Sequence, residues 1–87
     1  MKIKEGFILR HIGDEIIVVA VGEASKDFNG IIRMNSTGEF LWNAMSSETN
    51  EDALVSALLS EYEIDEATAR RDASAFIEKL NGAGILE

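Results

Sequence analysis

The first third of the chain carries the alternation and the β-branched content of strands. Phe7-Ile8-Leu9-Arg10-His11-Ile12 is followed by Gly13-Asp14 and then by Glu15-Ile16-Ile17-Val18-Val19-Ala20-Val21. Two such runs around a Gly-Asp pair predict a hairpin. The second run is apolar on both faces, which places it centrally with something packed over it. Gly22 to Asn29 reads as polar and irregular, Asn29-Gly30 as a turn, and Ile31-Ile32-Arg33-Met34 as a short third strand.

From Ser36 onward the period changes to that of helices. Ser36-Thr37-Gly38-Glu39 has the spacing of a capping box, with Ser36 as N-cap and Glu39 reaching back, and it opens a short helix carrying Phe40, Leu41, Trp42 and Met45. A second helix starts near Thr49 or Asn50, with acids in its first turn and an apolar face of Leu54, Val55, Leu58, Leu59 and Tyr62. A third starts at an Asp65 N-cap and presents Ala69, Ala73, Phe76, Ile77 and Leu80. Gly82 and Gly84 end it, leaving Ile85 and Leu86 to fold back onto the core. The order is βββααα, an α+β fold, and 87 residues suit a single domain spanning 1–87. Phe7, Phe28, Phe40, Trp42, Tyr62 and Phe76 are expected to supply much of its core.

Charge narrows the choice of partners. There are 8 basic and 16 acidic residues, for a net charge of −8. No Lys or Arg lies between Met34 and Ala69, whereas Glu39, Glu48, Glu51, Asp52, Glu61, Glu63, Asp65 and Glu66 are acidic. A nucleic-acid surface needs a basic face to replace counterions, so no nucleic-acid partner is expected. With 0 cysteines there is no disulfide framework, thiolate metal site or cysteine nucleophile. No stretch approaches the roughly 20 apolar residues of a membrane span, and no signal-peptide core is present. The chain is therefore expected to be soluble, unprocessed and cytoplasmic, with no membrane partner.

Catalytic chemistry finds little to work with. His11 is the only histidine and has no companion ligand at metal-site spacing, so a structural or exposed role is expected and no metal. No Ser/His/Asp set or phosphate-binding glycine pattern is present, and the acidic run Glu61 to Glu66 lacks the central Gly of a calcium loop. No cofactor and no enzymatic activity are expected. Arg70-Arg71 is the one adjacent basic pair. It either neutralises Glu66 and Asp72 or anchors acidic groups of a partner, since guanidinium binds carboxylate through two parallel hydrogen bonds. The third strand is the most informative element. With the second run central, Ile31–Met34 becomes a sheet edge, and an apolar edge must be covered or used. A peptide can add there as a fourth strand. The alternatives are a covering loop or edge-to-edge pairing of two copies.

Phe28-Asn29-Gly30, the strand, and then Asn35-Ser36-Thr37-Gly38 followed by Leu41-Trp42 resemble the signature of the PqqD family. The length, the strands-then-helices order and the closing Gly84-Ile85-Leu86 match as well. The resemblance implies a winged-helix-like fold and a RiPP recognition element: a domain that binds the leader of a ribosomally made precursor peptide and presents it to a modifying enzyme, often a radical SAM protein. It implies a leader added antiparallel to the third strand, at Ile31, Ile32, Arg33 and Met34. The leader would lie against the third helix near Arg70, Arg71, Ser74 and Ile77. The competing readings are a winged-helix DNA-binding regulator, which the acidic block opposes, and a homodimeric structural or interaction domain.

Overall fold

The structure is a computed structural model that describes residues 1–27 and 30–87. The expected Asn29 turn and the core role of Phe28 fall outside the described residues. The chain runs β1 (Phe7–Ile12), β2 (Glu15–Ala20), α1 (Ala24–Asp27), β3 (Ile31–Met34), α2 (Ser36–Ala44), α3 (Glu51–Glu61) and α4 (Glu66–Gly82). The three strands form one antiparallel sheet in the order β1-β2-β3, with β3 on an edge. The α+β order is the expected one with a single addition. The stretch after Gly22 is not wholly irregular, because it contains the one-turn helix α1, where Ser25 Oγ donates to the Gly22 carbonyl at 2.6 Å.

The sheet places its faces unequally. The cross-strand pairs Leu9↔Val18 and Val18↔Ile32 put these three residues on one face, and they belong to the core with Trp42, Leu54, Leu58, Phe76 and Leu80. On the other face Ile17 is buried between its partners Arg10 and Arg33, but Ile8 and Ile31 are 41% and 53% exposed. β2 is central as expected, and the helices cover only one side of it. The chain end closes the core: Ile85 is fully buried and Leu86 bridges Ile3. On α3 the buried stripe is Leu54, Val55 and Leu58, and Leu59 turns outward.

Helix caps define the layer of helices. Asn50 and Asp65 cap α3 and α4 through bonds from the Ala53 and Thr68 amides at 2.8 and 2.7 Å. The cap of α2 is Asn35 rather than Ser36: Asn35 Oδ1 accepts from the Gly38 amide at 2.8 Å, and Ser36 is the first helical residue. Both side chains have the chemistry for the role, and the extended backbone of Asn35 decides it. The shift moves Glu39 one position too far along to close a capping box. Its carboxylate instead meets His11 Nε2 at 2.6 Å, tying the end of β1 to the first turn of α2.

Candidate functional site

The β1–β2 turn fixes which backbone groups of β3 are free. Ile12 and Glu15 pair across a turn of Gly13 and Asp14, with Gly13 at φ +60. In a hairpin closed this way the pair flanking the turn exchanges both hydrogen bonds, and bonded pairs then alternate along the ladder. Glu15, Ile17 and Val19 therefore bond toward β1, and Ile16 and Val18 bond toward β3. Their partners Met34 and Ile32 bond inward. Ile31 and Arg33 accordingly turn their N–H and C=O groups away from the sheet. An independent contact agrees: the Arg33 carbonyl accepts from Lys79 Nζ of α4 at 3.0 Å.

Beside this edge lies a groove of about 380 Å³, lined by Arg33, Met34, Asn35, Thr37, Gly38 and Leu41 on one wall and by Asp72, Ala75, Phe76 and Lys79 on the other. Its base depends on Gly38. A Cβ there would lie 3.2 Å from Met34 Cβ, close enough to press on the strand, and at an ordinary contact distance of 3.5 Å from Phe76 Cε1. Lys79 at Arg33 and Phe76 at Gly38 show that α4 runs antiparallel to the β3–α2 segment. Asp72 therefore stands toward the end of β3 and Lys79 toward its start. The walls are apolar at Met34, Leu41 and Phe76 and carry one anion and one cation from α4.

The expected strand residues Ile31, Ile32, Arg33 and Met34 all lie along this edge, with Ile31 and Arg33 exposed and Ile32 and Met34 half-buried toward the core. The helix residues fall differently. A helix turns about 100° per residue, and the buried stripe Ala69, Ala73, Phe76 and Leu80 separates two flanks of α4. Arg70 and Ile77 lie on the flank facing α3, where Arg70 donates to Glu51 at 2.9 Å and to Asp52 at 2.8 Å. These bonds, that to Glu51 first, raise the guanidinium pKa further. Ser74 continues the flank of Arg70 and Ile77 and Arg71 lies next to Ala75 around the helix, and neither lines the groove. Asp72, Ala75 and Lys79, and none of these four, line the groove beside β3. They flank Phe76 at −4, −1 and +3, so the apolar stripe locates them once it is known which side faces the strand.

Among the described residues, no group of three or more His, Cys, Asp or Glu is placed to hold a metal ion. Among them too, no helix is long and apolar enough to cross a membrane. A second depression, of about 460 Å³, is bounded by Lys4, Glu5, Phe7, Glu23, Ala24, Ala83 and Gly84.

An α+β domain with an open strand edge beside a groove of mixed polar and apolar walls has the form of a module that accepts an extended segment. The chain belongs to the PqqD family: residues 9–86 match the family described as coenzyme PQQ synthesis protein D. Two solved structures share its fold. One is TbiB1 in complex with the TbiA(beta) leader peptide, with a TM-score of 0.76 and 24% identity, covering 100% of this chain and 95% of that one. The other is a lasso peptide synthetase B1 complexed with the leader peptide, with a TM-score of 0.74 and 15% identity, covering 99% and 95%. No curated protein sequence matches the chain significantly.

Proposed function

We propose that residues 1–87 act as a single non-catalytic domain that captures the leader of a ribosomally made precursor peptide and presents it to a modifying enzyme. The observation that carries this reading is the outward-turned backbone of Ile31 and Arg33 above the Met34–Phe76 groove. The leader adds as a fourth, antiparallel strand. Its backbone bonds supply affinity, and alternate side chains entering the groove supply selectivity. Membership of the PqqD family supports the reading, as do two neighbours of the same fold that hold leader peptides. In this reading the chemistry belongs to the partner, a radical SAM protein or another peptide-modifying enzyme in the cytoplasm; among the described residues no nucleophile, base and oxyanion site stand together.

The test is calorimetric titration of the domain with the leader of a short precursor encoded beside its gene. Saturable 1:1 binding without turnover is expected. Absence of binding, or peptide modification by the domain alone, contradicts the proposal. The same free groups would serve edge-to-edge pairing of two copies, which a doubled mass in solution would reveal.

A further inference from the structure

The groove has a charge asymmetry that ordinary strand addition does not require. Lys79 forms no ion pair among the described residues; its ammonium donates to the Arg33 carbonyl at 3.0 Å, an acceptor on the free edge. An ammonium has three protons, so two remain for other acceptors. Asp72, two helical turns earlier on the same wall, is also unpaired among the described residues and lines the same groove. The cation and the anion thus stand at opposite ends of a short trough whose apolar part is Met34, Leu41 and Phe76.

We propose that Lys79 reads a carboxylate on the bound peptide, and that Asp72 makes the reading depend on position. The inference rests on strand addition at β3. In an antiparallel ladder the peptide residue opposite Arg33 shares its backbone bonds and points its side chain to the outer face, because side chains alternate. Its two neighbours then point into the groove. The preceding one stands opposite Met34 and near Phe76, an apolar setting, and the following one opposite Ile32; the Lys79 ammonium, held at the carbonyl between Arg33 and Met34, lies between the two and is left to the following one. The preferred peptide therefore has an apolar residue and, two positions toward its C-terminus, Asp or Glu. An acid placed before the apolar residue approaches Asp72 and is disfavoured. The Lys79 cap on the Arg33 carbonyl holds the ammonium at the edge before the peptide arrives.

The test uses random dodecapeptides displayed on phage and selected on the immobilised domain. Selected peptides are expected to show Asp or Glu two positions after an apolar anchor. Selection on Lys79→Met should lose that preference, and selection on Lys79→Glu should replace it with Lys or Arg. A synthetic wild-type-selected peptide should bind Lys79→Met about 2- to 5-fold more weakly at low salt, the size of an exposed ion pair. Lys79 is exposed, and an unchanged circular dichroism melt identifies a folded variant. Peptides that shift the Ile31 and Arg33 amides but show no acidic position, or keep one in Lys79→Met, overturn the role of Lys79 and leave strand addition standing. Peptides that spare those amides, or a selection that yields no binders, overturn both.

Discussion

Val18 and Ile32 face each other across the β2–β3 ladder with their backbone groups turned toward one another, which leaves the neighbours Ile31 and Arg33 facing outward. The two sets of residues predict opposite outcomes for proline. Arg33→Pro removes an outward donor and sets a ring against the added strand. It should weaken leader binding about tenfold or more, through one or two lost bonds and poorer pairing, with little change in melting temperature. Ile32→Pro removes a bond to Val18 and strands its buried carbonyl, a cost of about 1–3 kcal/mol. Thermal melts beside titrations separate the two, and equal destabilisation by both would mean that the edge is not free.

Trp42 is 5% exposed within the core. Trp42→Ala should destabilise the fold by about 3–5 kcal/mol, as large aromatic truncations in cores do, a large part of the stability of a domain this small. Denaturant unfolding measures it. A nearly unchanged midpoint would place Trp42 outside the core.

Asp65 supplies an acid-sensitive cap. The Thr68 amide bonded to its carboxylate, then the Thr68 side chain, hold its pKa below the ordinary aspartate value. A carboxyl depressed on folding stabilises the fold above its unfolded pKa, and that contribution is lost as pH falls through the folded value. Asp65→Asn keeps an acceptor at the cap but has no carboxyl to protonate. Its melting temperature should therefore fall less than that of the parent between pH 5 and the acid limit, a range of about two to three units set by the aspartate reference pKa. Parallel curves for the two proteins contradict the role of the carboxylate.

Arg70 links α3 to α4 through Glu51 and Asp52. Arg70→Glu gathers three carboxylates there, so it should lower the melting temperature, and more so at low salt, because exposed charges are screened. Leader affinity at low temperature should hold. Loss of affinity without loss of stability would return Arg70 to the peptide site.

What the sequence made legible is local. The hairpin follows from Gly13-Asp14 between two apolar runs, β3 from its β-branched content, and the Asn50 and Asp65 caps from short polar side chains ahead of helical stripes. The elements it misplaced depend on contacts between distant parts of the chain. Nothing near Glu39 announces that it meets His11, and the choice of Asn35 over Ser36 as cap is set by the backbone leaving β3. The edge position of β3 was readable because β2 reads as the central strand. The flank of α4 that lines the groove was not, because Phe76 marks the buried stripe of α4 without telling which flank faces the strand. The Arg70 pairs to α3 and the Lys79 bond to Arg33 settle that orientation.

Amide hydrogen exchange of the domain, free and bound to the leader, tests strand addition most directly. Without peptide, the Ile32 and Met34 amides should be protected by β2 and those of Ile31 and Arg33 should exchange freely. With peptide, Ile31 and Arg33 should become protected. Protection that appears on the first hairpin while Ile31 and Arg33 continue to exchange would contradict leader capture at the β3 edge.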